Sequence, residues 1–215
     1  MNSNDPPAAS ISQTRSAAAA MICAEAKRIL RAELLARRSA LVEAAPPDAA
    51  DCVALTLMGA LAAIQRTTLA GYWPMGDEFD VRPALGAAVS RGWSCALPVV
   101  TGRNTPLVFR GWRPGDDLRA GGFGTSVPQP TRGEIRPDVL LVPLLGFDAT
   151  GLRLGYGGGY YDRTLAQLRA GGGVLAIGIG FAGQEIASLP AESFDQRLDW
   201  IITEAGLRRF TEERA

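Results

Sequence analysis

The chain has 215 residues, 47% of them apolar and 20% charged, with acidic and basic residues balanced at 22 each and no histidine. This fits one large soluble domain, or a domain with a small appendage, with a sizeable core, and the balanced charge gives no bulk field to gather nucleic acid or an anionic membrane. Without histidine, a Ser-His-Asp triad, a Cys-His pair and any His-ligated metal are excluded, so acid–base work falls to carboxylates, Lys, Tyr or the substrate.

Residues 1–15 are small, polar and proline-bearing and read as a disordered tail preceding a single domain over 16–215. The alanine-rich run Ala17 to Ala24 after Arg15 superficially resembles a signal peptide. It is weakly hydrophobic and merges into a charged helix, so the protein reads as cytoplasmic. No apolar run approaches the length of a membrane span.

Ser16 to Glu43 holds Ala, Leu, Glu, Arg and Lys with no Gly or Pro, which predicts a helix. Its charged face carries Lys27, Arg31, Arg37 and Arg38. Lys27 and Arg31 are four apart and reach one neighbourhood, although on charge alone a solvated basic face is the simpler reading. Pro46-Pro47 breaks the helix, and Asp51 to Gln65 reads as a second, largely buried one. Thr68 to Trp73 is a first strand. The loop after it carries Asp77, Glu78 and Asp80 just past a strand's carboxyl end, where open α/β sheets bind ligands. Val81 to Arg91 is a helix and Trp93 to Pro98 a strand. Leu107 to Trp112 is another strand, and Gly115 to Pro130, rich in Gly and Pro, an extended loop. Cys23, Cys52 and Cys95 have no pairing motif and read as free thiols packed in two helices and a strand.

The stretch from Pro137 to Leu168 organises the rest. Val139-Leu-Leu-Val142 is a continuous apolar run, as a strand buried on both faces requires. Arg153 follows, then Gly155, Gly157, Gly158 and Gly159, and a helix from Tyr160 to Leu168. Strand, glycine loop and helix in that order make an anion site, because glycines permit positive φ and the first-turn N–H groups point at negative charge. Asp162 lies in that first turn; it would repel a bare phosphate unless a cation stood between them. A magnesium-nucleotide or phosphate-ester site is one reading, and a flexible loop closed by a helix cap is the other. The spacing matches neither a Walker loop nor the dinucleotide fingerprint. Val174 to Phe181 is a further strand, Gln184 to Leu189 a short helical turn and Asp199 to Thr203 a last strand. The alternation predicts an α/β fold with a doubly wound, mainly parallel sheet.

Six separated blocks, spanning about 27 to 204, resemble the 5-formyltetrahydrofolate cyclo-ligase (methenyltetrahydrofolate synthetase) family. They are Lys27-x-x-x-Arg31, Gly71-Tyr-Trp-Pro-x-x-Asp-Glu78, Ala96-Leu-Pro98, Pro128-Gln-Pro130, the run Pro143-Leu-Leu-Gly-Phe-Asp148-x-x-Gly151-x-Arg153-Leu-Gly-Tyr-Gly-Gly-Gly-Tyr-Tyr-Asp-Arg163, and Phe194-Asp195-x-x-x-Asp199. The resemblance implies a Rossmann-like fold related to sugar-phosphate isomerases. It also implies ATP- and Mg2+-dependent cyclisation of 5-formyltetrahydrofolate to 5,10-methenyltetrahydrofolate, with ADP and phosphate released. It assigns Lys27, Arg31 and Arg153 to catalysis. Those three, with Leu154, Gly155, Tyr156, Gly157, Gly158, Gly159, Tyr160 and Tyr161, would bind ATP. Trp73 and Glu78 would bind the folate together with Tyr156, Gly157, Gly158, Gly159 and Tyr160; Asp162 and Asp195 would hold Mg2+. Phe194 stands where many members carry His. The implied partners are small molecules alone, on a monomer, with neither nucleic acid nor membrane. A non-catalytic nucleotide- or folate-binding descendant and a sugar-phosphate isomerase are the alternatives.

Overall fold

The structure, a computed structural model, describes residues 8–64 and 67–210. In chain order the elements are α1 (Ala8–Ala44), α2 (Ala49–Ala60), β1 (Thr68–Ala70), α3 (Arg82–Ser90), β2 (Ser94–Val99), β3 (Val108–Trp112), β4 (Leu118–Ala120), β5 (Ser126–Pro128), β6 (Val139–Pro143), β7 (Gly146–Phe147), β8 (Arg153–Leu154), α4 (Tyr160–Ala170), β9 (Leu175–Ile179), β10 (Trp200–Thr203) and β11 (Gly206–Arg209). The tail expected over 1–15 lies outside the described residues as far as residue 7. From Ala8 the chain is already helical, eight residues ahead of Ser16, since no Gly or Pro interrupts it before Ala44.

A seven-stranded sheet of order β11-β10-β9-β6-β1-β2-β3 forms the centre. Strands β2, β1, β6, β9 and β10 run parallel, and β3 and β11 close the two edges antiparallel. Counted among themselves, the parallel strands follow the order 2-1-3-4-5. That order reverses direction between β1 and β6, and it is outside the carboxyl ends of such a pair that open α/β sheets bind ligands. Alternation along β6 explains its unbroken apolar run. Val139 and Leu141 join the cluster under α2 and α3, while Leu140 and Val142 join the cluster under α4. Each fully buried Leu or Ile there contributes about 2 kcal/mol.

Helix α1 lies across the carboxyl ends of the strands. Leu34 packs with Leu145, Leu152, Leu154 and Leu189, Ser39 donates to Asp77 after β1, and Leu41 touches Gly183 after β9. The helix therefore covers that end of the sheet with one face.

Local differences from the expected elements have simple causes. The Gly/Pro-rich loop contains the β4–β5 pair; strands of three residues leave no periodicity to read. The β7–β8 hairpin and edge strand β11 escape for the same reason. The helical turn expected over 184–189 is a 3-10 turn at Ala182–Gln184. On α2, Leu55 is exposed and so is Cys52, so that helix buries one face only. Cys95 on β2 is buried, and burial pushes its thiol up to about 12.

Candidate functional site

The loop from Gly155 to Gly159 sits at the sheet's switch point, delivered there by β6 and the β7–β8 hairpin. Gly157 has φ +95° and Gly159, the N-cap of α4, has φ +64°. Both lie in the left-handed region that glycine tolerates best. Among the described residues, no backbone N–H from Gly155 to Asp162 donates to a carbonyl outside the helix ladder. A run of unused N–H groups opening an eleven-residue helix is an anion cradle.

Positive charge reaches this loop from α1. Arg31 Nε donates to the Gly155 carbonyl at 2.9 Å, and its guanidinium carbon lies 3.1 Å from where a Cβ on Gly157 would sit. A side chain at 157 thus meets both a strained φ and Arg31. Gly157→Ala is expected to cost about 1–3 kcal/mol of backbone strain. Under the nucleotide reading of the loop, it should raise the KM for nucleotide about tenfold through displacement of Arg31, which is worth roughly one charge-assisted hydrogen bond. Thermal unfolding and steady-state kinetics on one preparation check both effects.

Lys27 is buried, and its Nζ donates to Asp195 Oδ2 at 2.6 Å and Glu192 Oε2 at 2.8 Å. The exposed Phe194 ring centroid lies 5.8 Å from the same nitrogen. Burial pulls the ammonium down, and the bonds from Asp195 and Glu192 more than reverse it, leaving it above the ordinary lysine value. The charged face of α1, expected to be either catalytic or solvated, is divided: Lys27 and Arg38 are buried, Arg31 is half-buried and Arg37 is exposed.

Arg153 differs from expectation. Its side chain is only 4% exposed, and its guanidinium turns inward, donating to the Gln196 carbonyl and, at 3.0 Å, to Asp162 Oδ1. Because β8 alternates, Leu154 goes to the core, and its carbonyl accepts from the Leu145 N–H at 2.7 Å. Arg153 thus clamps the 195–196 segment against the first turn of α4.

Asp162 Oδ1 also accepts the Gln196 N–H at 3.0 Å, so Asp162 and Asp195 belong to one local network. Among the described residues, Asp162 Oδ2 and Asp195 Oδ1 accept no hydrogen bond. No group of three or more His, Cys, Asp or Glu side chains among them could hold a metal. Two carboxylates with an open oxygen each suit a hard cation that takes its remaining ligands from phosphate and water, as Mg2+ does.

Beside Tyr156 of the loop stands Glu78. It is buried and its Oε2 accepts the Met75 N–H at 3.0 Å. Burial pushes its carboxyl above the ordinary range, against the pull of Met75, Arg38 and the Tyr156 hydroxyl. The Tyr156 hydroxyl accepts from Arg38 Nη2 at 2.6 Å, and its ring is half exposed. Tyr161 is packed inward, and burial raises its phenol further, with Glu78 adding to the effect. Tyr160 packs against Phe123 and carries the Arg163 guanidinium over its ring. Arg163 also donates to the Gly158 carbonyl at 2.6 Å. Trp73 is half buried, edge-on to Trp112 with Arg82 over its ring, a packing arrangement. Asp148 and Asp80 are turn residues: Asp148 accepts from Thr150, Leu152 and Leu189, and Asp80 from Arg82.

Arg38 is the site residue to which no role was assigned from sequence. Its signal was its spacing from Lys27: eleven residues are three helical turns, so positions 27, 31, 34 and 38 share one face.

The sequence profile described as the 5-formyltetrahydrofolate cyclo-ligase family matches residues 23–204. A 5-formyltetrahydrofolate cyclo-ligase of Mycolicibacterium smegmatis is 34% identical over 82% of the chain and 93% of its own length. One of Escherichia coli is 28% identical over 78% of the chain and 94% of its own. The solved 5,10-methenyltetrahydrofolate synthetase of Aquifex aeolicus superposes with a TM-score of 0.68 at 26% identity, covering 88% of the chain and 95% of its own. That of Mycoplasma pneumoniae gives 0.63 at 25% identity, covering 83% and 98%.

Proposed function

The chain belongs to the 5-formyltetrahydrofolate cyclo-ligase family, and from that premise we propose how its own residues carry out the cyclisation of 5-formyltetrahydrofolate to 5,10-methenyltetrahydrofolate. ATP is the co-substrate. Its triphosphate lies along the N–H groups of Gly155, Tyr156, Gly157, Gly158, Gly159, Tyr160 and Tyr161, with Arg31 and Lys27 arriving from α1. Phosphoryl transfer asks the protein chiefly for positioning and charge neutralisation. A half-buried Arg31 on a nest of free donors, with buried Lys27 one helical turn away, is suited to both.

The formyl oxygen attacks the γ-phosphorus and ADP leaves. N10 of the folate then attacks the activated formyl carbon, and phosphate and the N10 proton depart, leaving the N5–C–N10 methenyl bridge. Arg153 acts one step removed, holding Asp162 and the 195–196 segment in place. Magnesium, held by Asp162 and Asp195 with phosphate oxygens, would neutralise charge on the transferring group. Glu78 holds the pterin by accepting from its N–H edge, and Trp73 stiffens the loop that carries Glu78.

The observation that carries this reading is the meeting of Arg31 with the open Gly155–Gly159 loop at the switch point, with Glu78 against Tyr156 of the same loop. A nucleotide and a folate can then meet at that loop. The test is direct: purified protein with 5-formyltetrahydrofolate and Mg-ATP should generate the methenyl chromophore, and omission of ATP should abolish it. No chromophore with ATP present across neutral pH would overturn the proposal.

A further inference from the structure

Arg38 has no part in the chemistry above, yet it is the most deeply buried cation at the site. It is 3% exposed. Its Nη2 donates to the Tyr156 hydroxyl at 2.6 Å, and its guanidinium carbon lies 5.5 Å from the Tyr156 ring centroid. Its Nε and Nη1 are buried and donate to nothing among the described residues. A buried donor left unpaired keeps its whole desolvation penalty, so a guanidinium with two such groups beside a ligand site implies an acceptor that arrives with the ligand.

Glu78 stands next to it. Arg38 is close enough to bias that carboxyl electrostatically, but no contact ion pair joins the two among the described residues. The result is a pair of open donor groups close to a buried carboxylate whose own bonds are to the Met75 N–H and the Tyr156 hydroxyl, brought together by α1, the loop after β1 and the glycine loop. The pterin amide edge carries a matching pattern. It presents in order the C4 carbonyl oxygen, the N3 hydrogen and the exocyclic amino hydrogen: one acceptor, then two donors. Its complement is a donor followed by two acceptor oxygens, which a guanidinium beside a carboxylate supplies.

We infer that Arg38 is a substrate-binding, specificity-determining residue that donates from its free N–H groups to the C4 carbonyl oxygen of the pterin, while the Glu78 carboxylate accepts from N3 and the amino group. The inference rests on the folate reading above. It adds that the site selects 4-oxo over 4-amino pteridines through Arg38, because a 4-amino group would turn N–H donors toward a cation that can only donate.

The experiment measures binding of 5-formyltetrahydrofolate, of its 4-amino counterpart and of ATP, each alone, to wild type, Arg38→Met, Arg38→Lys and Tyr156→Phe. Arg38→Met should weaken the 4-oxo ligand by about 10- to 100-fold, the worth of a charge-assisted hydrogen bond, and leave ATP nearly unchanged. It should weaken the 4-amino ligand far less, so that discrimination between the two narrows about tenfold or more. Arg38→Lys should fall between, and Tyr156→Phe should preserve the discrimination. Should Arg38→Met not fold, Arg38→Lys carries the same comparison. Equal losses for both pteridines, or Tyr156→Phe reproducing the Arg38→Met result, would reduce Arg38 to a prop for Tyr156. Wild type that binds neither pteridine would instead overturn the folate reading, independently of any variant.

Discussion

Lys27→Ala should lower kcat/KM for ATP by about 10²–10³, the effect of removing one preorganised charge donor from a transition state, while the KM for folate changes much less. The same change should also destabilise the fold. Lys27 Nζ touches two carboxylates, and breaking a buried ion pair from one side leaves charge without compensation, typically about 3–5 kcal/mol. Glu192 and Asp195 keep 20% and 14% of their side chains exposed, so water relieves part of that, and about 2 kcal/mol is the expected loss. Lys27→Met is the companion variant. It retains the aliphatic volume, and comparable loss of both quantities would tie them to the charge. Because the ammonium is held above the ordinary lysine value of 10.5, its contribution to stability is complete below that value. It disappears only as pH rises through the higher folded value. Denaturation curves between neutral pH and pH 9 should therefore show the same gap between wild type and variant; a gap that closes there would show that the charge is not its source.

Glu78→Gln should separate stability from function. The Glu78 carboxyl is pushed above its ordinary value of 4.5, chiefly by burial. A raised carboxylate favours the fold most when protonated: the advantage is complete below 4.5 and is lost as pH rises through the folded value. At neutral pH wild type therefore carries a buried, incompletely compensated charge, and the neutral amide removes it. Glu78→Gln should be at least as stable as wild type at pH 7 and lose that advantage in acid. Its folate affinity should nevertheless fall about 100-fold, because hydrogen bonds to a charged acceptor are worth about 1.5–3 kcal/mol each and the amide nitrogen presents a donor to a donor. The acid limb of kcat/KM for folate should also lie above 4.5 in wild type and vanish in the variant. A Glu78→Gln enzyme with unaltered folate KM would move the pterin elsewhere. The trade is of the kind that ligand sites commonly make: a group costly in the free protein is kept for what it binds.

Much of this was legible in the chain. The buried strand at 139–143, the glycine loop and the helix from Tyr160 are written as local patterns: an apolar run, residues that tolerate positive φ, and a 3.6-residue period. Those patterns determine where the glycine loop and the start of its helix lie and make an anion cradle one of two readings of them. The absence of histidine determined what chemistry it could not do, and six ordered blocks pointed to the family. The three-dimensional arrangement decided the partnerships. Lys27 meets Asp195 across 168 positions and Arg38 meets Tyr156 across 118. No local pattern encodes such pairs, because they exist only once α1 is laid across the carboxyl ends of the strands. The same packing turned Arg153 inward to Asp162 and buried Arg38, which sequence treated as one more charge on a helix face. Burial and pairing are properties of the environment that surrounds a side chain; the chain supplies the charge, and the fold decides whether water or a ligand answers it.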